Sequence, residues 1–578
     1  MKNLLFPVFL LIGHSILLTA CQRDSAKLPE DVEERINLVE NSIQAEGRKW
    51  TIDQRMEALK IPGVSVGVIH NYKLDWAKGY GLADIKQKRE VTPSTLFQAA
   101  SISKSLTGVG LVKLAQDNKV RLDEDVNQYL KSWKFPYNEI TGNDKITLNN
   151  LLSHSAGLTV HGFRGYKKGR PVPTVLQVLN GEVPANNEPV RSAEKPNTRM
   201  QYSGGGTTVA QLVAMDVSGK DFNAFMKDEV LDPLGMKSSF YRVPNESEQL
   251  NLATGYLYDK TEVPGKYNIH PEQGAASLWT NPSDLAKYII ETQLSLRGQS
   301  SKVLNQEFTR KRLTTIKDDA ALGVFIHSIG KAKYFQHSGA NEGFRCLYIG
   351  DFDKGNGVVI MVNSENNKII PELLLAVAQV YAWDGYSDSG IKLSQEKLKE
   401  YEGFYQAAFN SDFFLQMVAT EKGLMLRQLW DGREIVFEAQ SEFEFFNKEM
   451  QFPLKFSRDA KGNIAEVLAF NRDVWKRDPT FQPVVKKVIN LSPEQLKLLE
   501  GKFRVKNNKE LVAELTAKEG HIHVRQLWDG GELILVPESE LSFFVKDNPY
   551  RTVKFIRDSK GNVVEIIAFG REVLERVE

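Results

Sequence analysis

The stretch Phe97-Gln-Ala-Ala-Ser101-Ile-Ser-Lys104-Ser-Leu-Thr-Gly-Val-Gly-Leu-Val-Lys-Leu-Ala115 decides how this chain folds. Its apolar run predicts a helix from Ser101 to about Gln116. A spacing of three residues places Lys104 on the same helical face as Ser101. The Ser101 hydroxyl then lies at the positive end of the helix dipole, where a lysine can act as its base. The alternative is that Ser101 is only an N-cap, a position where serine is common.

The pattern Ser-x-x-Lys is by itself a weak signal, because it occurs five times in this chain. The five copies start at Ser101, Ser192, Ser328, Ser389 and Ser394. Only the first opens a long apolar helix, so the context selects Ser101 as the candidate nucleophile.

Four further motifs follow Phe97–Ser105 along the chain. They are Leu151-Leu-Ser-His-Ser-Ala-Gly-Leu158, Met200-Gln-Tyr-Ser-Gly204, Gly274-Ala-Ala-Ser-Leu-Trp-Thr-Asn-Pro-Ser-Asp-Leu285 and Tyr334-Phe-Gln-His-Ser-Gly-Ala-Asn-Glu-Gly343. In this order, they resemble the motifs of the serine β-lactamase and penicillin-binding protein superfamily, in its class C-like branch. The resemblance covers residues 35–382. It implies an α/β fold of two lobes, in which an antiparallel sheet flanked by helices lies beside an all-helical lobe.

The resemblance also implies a role for individual residues. Ser101 would be the acylated nucleophile, Lys104 would take or relay its proton, and Tyr202 would be the partner general base. The backbone N–H groups of Ser101 and Ala340 would hold the oxyanion. The residues implied to bind substrate are Ser203, His337, Ser338 and Gly339. No metal or other cofactor is indicated.

Two positions depart from the family pattern. Gly204 stands where the family often has the Asn of Tyr-x-Asn, and His337 stands where it often has a lysine. Because an ordinary histidine titrates near 6.5, attraction of a substrate carboxylate is expected to depend on pH near that value. Both departures favour an ester or peptide substrate over efficient β-lactam hydrolysis.

The leading functional hypothesis is therefore a serine hydrolase that forms an acyl-enzyme on a small ester, amide or D-amino-acid peptide. One alternative is a D,D-carboxypeptidase, or penicillin-binding protein, acting on peptidoglycan stem peptides. A second alternative is a non-catalytic lipoprotein that binds a cell-envelope component. With 74 Lys and Arg against 73 Asp and Glu, the net charge of +1 gives no general attraction to nucleic acid.

The N-terminus has the three-part layout of a secretory signal, with Lys2, an apolar stretch over residues 4–18, and small residues before Cys21. Leu18-Thr19-Ala20-Cys21 resembles a bacterial lipobox, which implies cleavage before Cys21 and a lipid on its thiol. We therefore expect a lipid-anchored, exported protein of the cell envelope, in the outer membrane or periplasm if the host is Gram-negative. The alternative is an uncleaved N-terminal membrane helix. The second cysteine, Cys346, is expected to be inert in a strand.

The last third of the chain contains an internal repeat. Arg-Gln-Leu-Trp-Asp-Gly occurs at residues 427–432 and again at 525–530. Short alternating runs and turn signals predict an antiparallel sandwich or small barrel in each copy. The copies resemble the lipocalin-like modules found behind many bacterial serine hydrolases. Trp430 and Trp528 are expected to fill the module cores or seat one module on another.

With 578 residues, the chain is long enough for several domains. The predicted divisions are a signal at 1–20, a tether at 21–34, a catalytic domain at 35–385, a repeat at 396–477, a linker at 478–494 and a second repeat at 495–578. Within the catalytic domain, residues 35–60 have a helical pattern and residues 64–69 and 74–77 have strand patterns. Gly79-Tyr-Gly81 is expected to break the second strand.

Overall fold

A computed structural model of the chain describes residues 28–577, apart from 330–331, 387–389, 431, 448–451, 470–472, 483–485, 507–510, 529 and 570–571. The predicted signal, most of the tether and the lipobox cysteine Cys21 lie outside the described residues. Within the described part of the chain, every helix is too short or too polar to cross a membrane.

The region that contains the five motifs alternates strands and helices. Its strands are β1 (Ile43–Ala45), β2 (Arg48–Trp50), β3 (Gly63–His70), β4 (Lys73–Asp84), β5 (Arg89–Glu90), β6 (Phe97–Ala100), β7 (Tyr166–Lys167), β8 (Asn268–Ile269), β9 (Leu278–Thr280), β10 (Phe325–Ile329), β11 (Ala332–Asn341), β12 (Phe344–Asp351) and β13 (Gly357–Val362). Its α-helices are α1 (Val32–Glu40), α2 (Ile52–Ala58), α3 (Ser103–Gln116), α4 (Leu148–Leu152), α5 (Val175–Asn180), α6 (Gly204–Ser218), α7 (Phe222–Met226), α8 (Asp232–Leu234), α9 (Gln273–Ala276), α10 (Pro282–Leu296), α11 (Gln306–Leu313) and α12 (Ile369–Val380).

A seven-stranded antiparallel sheet has the strand order β10-β11-β12-β13-β3-β4-β5. The central strands β3 and β13 are buried on both faces, which explains why their sequences are almost continuously apolar. Helices α1 and α12 cover one face, and α10 covers the other. The predicted two-lobed α/β fold is confirmed.

The second lobe is helical and is built around α3. Almost every residue of α3 is buried, because the helix is apolar on all sides and packs against α6, α9 and α11. This buried helix begins directly after β6. The join between β6 and α3 therefore lies where the two lobes meet.

Two local expectations are wrong. The helical pattern over residues 35–60 is interrupted by the hairpin β1–β2, whose turn contains Glu46 and Gly47 at positive φ, a conformation that no α-helix contains. The strand beginning at Lys73 is not broken by Gly79-Tyr-Gly81. It continues to Asp84, because Gly79 and Gly81 both pair with residues of β3.

Each C-terminal repeat is a closed eight-stranded antiparallel barrel preceded by one short helix, so of the two predicted alternatives the barrel is confirmed. The first comprises α13 (Gln395–Lys399), β14 (Gly403–Ala407), β15 (Asn410–Thr420), β16 (Gly423–Gln428), β17 (Glu434–Ala439), β18 (Glu444–Asn447), β19 (Phe452–Arg458), β20 (Ile464–Ala469) and β21 (Asp473–Arg477). The second comprises α14 (Pro493–Lys497), β22 (Gly501–Val505), β23 (Val512–Lys518), β24 (His521–Gln526), β25 (Glu532–Pro537), β26 (Ser542–Val545), β27 (Asn548–Arg557), β28 (Val563–Ala568) and β29 (Glu572–Arg576). In both barrels, the first strand pairs with the last.

The first barrel packs against the seven-stranded sheet and α12. Phe446 of β18 is buried within the same apolar cluster as α12 and the central strands of the sheet. Its ring centre lies 5.9 Å from that of His327 on the sheet's outermost strand, β10. The barrel therefore supports the strand that lies next to β11.

Candidate active site

Ser101 lies in the tight turn between β6 and α3. Ala100, the last residue of β6, has φ of +48°, a left-handed conformation that is uncommon for any residue with a Cβ. The turn is held by Ser103, whose hydroxyl donates to the Ala100 carbonyl (2.6 Å) and accepts from the Leu278 N–H (2.9 Å). The N-cap of α3 is Ile102, without a side-chain cap. The alternative that Ser101 is an N-cap is therefore wrong, and its hydroxyl is left for other contacts.

Lys104 lies beside Ser101, as the spacing of three residues predicts. Its Nζ donates to Ser101 Oγ (3.1 Å) and to the carbonyl of Ala275 on α9 (2.7 Å). The residue is only 3% exposed. Helix α9 is held in turn by Gln211 of α6, whose Oε1 accepts from the Gly274 N–H (2.8 Å). The lysine tip is thus fixed between two neutral oxygens in the interior of the site.

Tyr202 lies on the other side of the Lys104 ammonium, with its ring centre 5.0 Å from Nζ. Its ring belongs to an aromatic cluster in which the ring centres of His154, His337 and Phe325 are 4.4, 6.2 and 6.4 Å away. The structure therefore brings Tyr202 to Ser101 and Lys104 from a distant part of the sequence.

The histidines of the site are buried and neutral at physiological pH. Burial lowers the pKa of His337 to about 3 and that of His270 to about 4, and the positive charge of Lys104 adds to both effects. Burial and the same lysine hold the pKa of His154 well below 6.5. His154 Nδ1 accepts a hydrogen bond from the Ser203 N–H (3.3 Å), which requires an unprotonated nitrogen there.

The expected pH-dependent attraction between His337 and a substrate carboxylate is wrong. The side chain is 3% exposed, and its Nδ1 hydrogen bonds with the Ser338 carbonyl (2.6 Å). Its ring packs against Phe325, with the ring centres 5.3 Å apart. Because burial keeps the imidazole uncharged above about pH 3, His337 offers no positive charge to a substrate carboxylate.

Ser203, predicted to bind substrate, is instead the N-cap of α6. Its hydroxyl accepts from the Gly206 N–H (2.9 Å) and donates to the Val160 carbonyl (3.2 Å). It is 2% exposed. The sequence signal was that of a helix start, and the capping bonds leave no hydroxyl group for a ligand.

The strand β11 brings Ser338, Gly339 and Ala340 to Ser101. A Cβ on Gly339 would lie 2.2 Å from the Ala99 carbonyl oxygen, so only glycine lets β11 approach β6 this closely. Ser338 and Ala340 alternate with Gly339 and are exposed. Strand β10 begins opposite Gln336, and among the described residues no strand pairs with the next segment of β11, residues 337–341, on that side. An open strand edge beside a nucleophile can supply N–H groups to a substrate carbonyl.

Gly204, in the position of the family's asparagine, packs against Phe163. A Cβ there would lie 2.9 Å from the Phe163 ring. The aromatic ring therefore occupies the space into which a longer side chain at position 204 would extend.

Phe325, whose ring flanks Tyr202, lies outside the motifs found in the sequence. His154 and Asn341 lie within two of those motifs, and the structure adds their contacts. The His154 ring also flanks Tyr202, and Asn341 ties β11 to the rest of the site by donating to Gln98 Oε1 (2.9 Å) and the Ala276 carbonyl (3.1 Å). Cys346, expected to be inert, is buried, and burial raises the pKa of its thiol. Its Sγ donates to the Ala99 carbonyl (3.1 Å), two residues before Ser101.

Among the residues that the structure describes, no cluster of three or more His, Cys, Asp or Glu side chains is arranged to hold a metal ion. The site consists of a serine hydroxyl, a lysine amine, a phenol and an open strand edge. This set can perform nucleophilic acyl transfer.

Known proteins are similar to this chain in sequence. The family described as Beta-lactamase matches residues 50–382. "Protein flp" of Staphylococcus aureus strain MRSA252 is 25% identical over 357 residues, which are 60% of this chain and 68% of that protein. "Unguisins hydrolase ungD'" of Aspergillus campestris is 32% identical over 249 residues, which are 41% of this chain and 45% of that protein.

Two solved structures are also similar. The octameric penicillin-binding protein homologue from Pyrococcus abyssi matches with a TM-score of 0.48 and 19% identity, over 84% of this chain and 98% of that one. FmtA from Staphylococcus aureus matches with a TM-score of 0.46 and 22% identity, over 59% of this chain and 91% of that one. Since the family match spans more than half of its residues, the chain belongs to the Beta-lactamase family of serine hydrolases.

Proposed function

We propose that this protein hydrolyses an ester or amide through an acyl-enzyme on Ser101. The observation that carries the proposal is the 3.1 Å hydrogen bond between Lys104 Nζ and Ser101 Oγ at the start of a buried helix. A serine hydroxyl becomes a nucleophile only when a base in hydrogen-bond reach can remove its proton. Family membership supports hydrolysis, and the hydrogen bond supports these two residues as its agents.

The reaction would proceed in two acyl transfers. As Ser101 Oγ bonds to the substrate's carbonyl carbon, its proton passes to the pair formed by Lys104 and Tyr202, in which Lys104 takes or relays the proton and Tyr202 is the partner base. The carbonyl oxygen becomes an oxyanion, held by the N–H groups of Ser101 and Ala340. The proton then moves to the leaving oxygen or nitrogen, whose bond to carbon breaks. Water repeats the sequence on the acyl-serine, releasing the acid and restoring Ser101.

The surroundings favour an uncharged group next to β11. A lysine in the place of His337 would offer a permanent charge to a substrate carboxylate, whereas the buried His337 is neutral. Phe163 fills the space beside Gly204, where an amide side chain would assist that recognition. A neutral ester or amide therefore fits this site better than an anionic β-lactam or a peptide ending in a free carboxylate.

The test compares wild-type protein with Ser101→Ala on p-nitrophenyl acetate, nitrocefin and a peptide ending in D-Ala-D-Ala. We expect ester hydrolysis by the wild type and a loss of several orders of magnitude in Ser101→Ala. Equal rates for the two proteins would contradict the proposal. Release of D-alanine as the fastest reaction would identify the carboxypeptidase alternative, and no turnover by folded protein would favour the non-catalytic one.

We also propose that the protein is exported and held at the cell envelope by a lipid on Cys21. The support is the lipobox-like Leu18-Thr19-Ala20-Cys21 after an apolar stretch. Labelling of the full chain with a radioactive or clickable fatty acid in a bacterial host tests this. We expect label on the wild type and none on Cys21→Ala, and equal labelling of both would contradict it.

A further inference from the structure

The interior of the second barrel contains a cavity of about 290 Å³. Aliphatic side chains form most of its wall, and they come from strands on all sides of the barrel. The aliphatic lining residues are Val505, Leu511, Ala513, Leu515, Val524, Leu533, Leu535, Val553, Ile566, Ala568 and Leu574. Gln526, Trp528, Phe569 and Glu572 complete the lining. These four lie at or beyond one end of their strands, so the polar groups of the cavity are confined to its rim.

The first barrel has the same register but fills the corresponding space with large side chains. Trp475 pairs with Val467 across β21 and β20, as Leu574 pairs with Ile566 across β29 and β28. Position 475 of the first barrel thus corresponds to position 574 of the second. The Trp475 ring stacks on Trp430, with ring centres 5.9 Å apart.

Three more positions are smaller in the second barrel. Phe437 pairs with Leu424, and in the second barrel Leu535 pairs with Ile522. Leu415 pairs with Gln428, where Ala513 pairs with Gln526. By the same register, Phe413 is replaced by Leu511. Each change removes carbon atoms from the barrel interior, and together they account for the cavity.

The walls and rim of the two barrels differ accordingly. Leu426 in the first barrel is 1% exposed, whereas its counterpart Val524 is partly exposed and lines the cavity. Trp430 packs in the core, as expected, next to Phe413. Trp528 does not fill the core of the second barrel: it is 40% exposed at the rim, and Leu574 stands where the first barrel has Trp475.

We propose that the second barrel binds the hydrocarbon part of a small molecule, such as an alkyl or acyl chain. An apolar cavity of about 150 Å³ is large enough to stay dry and to bind an apolar guest, and this cavity is larger. Ligand sites begin at volumes of roughly 300 Å³. The chain enters at the rim, its apolar end lies against Leu515, Leu535 and Val553, and its polar end stays beside Trp528 and Glu572. This site is separate from Ser101, and its existence does not depend on the hydrolase proposal.

The experiment titrates the full-length protein with 1-N-phenylnaphthylamine, an apolar dye that fluoresces out of water. We expect saturation at one equivalent by the wild type. Ala513→Leu and Leu574→Trp restore the side chains of the first barrel, and each is expected to weaken binding at least about tenfold. The matched control is Val564→Leu, an enlargement on the outer wall of the same barrel, which is expected to bind like the wild type.

Competition distinguishes an interior site from the surface. We expect 1-decanol to displace the dye and 1,10-decanediol to do so at least about tenfold more weakly, because its second hydroxyl would be buried without a polar partner. Circular dichroism establishes whether each variant is folded. If only one of the two cavity-filling variants, Ala513→Leu and Leu574→Trp, is folded, that variant alone provides the test. The proposal is overturned if the wild type binds neither compound, or if folded filled variants bind the dye as tightly as Val564→Leu.

Discussion

At the scale of single residues, the site depends on one strained position. Ala100 takes a left-handed backbone conformation, and this turns the chain so that Ser101 precedes the first turn of α3. Lys104 then meets Ser101 because three residues separate them, and the Ala275 carbonyl fixes its amine. Backbone strain at a reactive serine is a property of many nucleophile turns, and here it sets the direction of the hydroxyl.

Replacement of Lys104 by Met tests its role as the base. The change keeps the length of the side chain and removes the amine, so we expect kcat/KM for a p-nitrophenyl ester to fall by about 10²–10⁴. Lys113→Met on the same helix is the matched control, because Lys113 pairs with Asp117 away from Ser101. Steady-state kinetics of the two variants give the comparison, and equal activities would refute the assignment.

The neutrality of His337 predicts the pH dependence of specificity. Since burial lowers its pKa to about 3, His337 gains no charge as pH falls from 8 to 5. The ratio of kcat/KM for an ester carrying a carboxylate to that for its methylated analogue is therefore expected to stay constant over this range. A ratio that rises as pH falls through 6.5 would show that His337 takes up a proton there.

At the scale of elements, β11 lies close against β6. Gly339 lies against the Ala99 carbonyl, and Asn341 bonds to Gln98 and the Ala276 carbonyl. These contacts hold the segment of β11 that contains Ala340, the proposed second oxyanion donor, against the strand that leads into Ser101.

A methyl group at position 339 tests this arrangement. In Gly339→Ala, the new Cβ would meet the Ala99 oxygen at 2.2 Å, so β11 must move away from β6. We expect kcat/KM to fall by about 10²–10³, the cost of losing one oxyanion donor. Gly162→Ala is the control, because a Cβ there meets nothing within 4 Å. Wild-type activity in folded Gly339→Ala would exclude the proposed oxyanion site.

The sequence predicted the elements better than their environments. The apolar run of α3 and the spacing of Ser101 and Lys104 are local, so both could be read directly. Burial depends on tertiary packing. The sequence alone therefore did not reveal the neutral state of His337 or the capping role of Ser203. Phe325 joined the site only through the pairing of β10 with β11. Local patterns thus locate the reactive groups, while packing sets their charge and availability.

At the scale of the whole molecule, the first barrel supports the active site from outside. Phe446 packs on β10 at His327, and two residues earlier the same strand contributes Phe325 to the aromatic cluster around Tyr202. The edge strand therefore connects the barrel to Tyr202, the proposed general base.

Removal of the Phe446 ring tests this connection. We expect Phe446→Ala to lower the stability of the catalytic unit by about 3–5 kcal/mol. We also expect a lower kcat/KM, because β10 would hold Phe325 less firmly. Phe544→Ala is the matched control, since Phe544 occupies the same position in the second barrel. Thermal unfolding and ester kinetics give the two readouts. Unchanged kinetics in Phe446→Ala would show that the contact with the barrel has no effect on ester hydrolysis.

The buried His327 makes this interface sensitive to acid. Burial, assisted by the charge of Lys455, lowers its pKa to about 4, against about 6.5 in the unfolded chain. As pH falls below 6.5, the unfolded chain binds the proton before the folded protein does. The free energy of unfolding therefore decreases until about pH 4, by roughly 3 kcal/mol in total. We expect His327→Phe to lose less stability than the wild type between pH 7 and 4. Equal losses in thermal unfolding would show that His327 is not responsible.

The most direct test of the central claim is the intact mass of the full chain after reaction with a fluorophosphonate ester, followed by peptide mapping. We predict a single covalent adduct on Ser101 in the wild type, much slower labelling in Lys104→Met, and none in Ser101→Ala. Labelling of folded wild-type protein at a different serine, or no labelling at all, would contradict the assignment of Ser101 as the nucleophile.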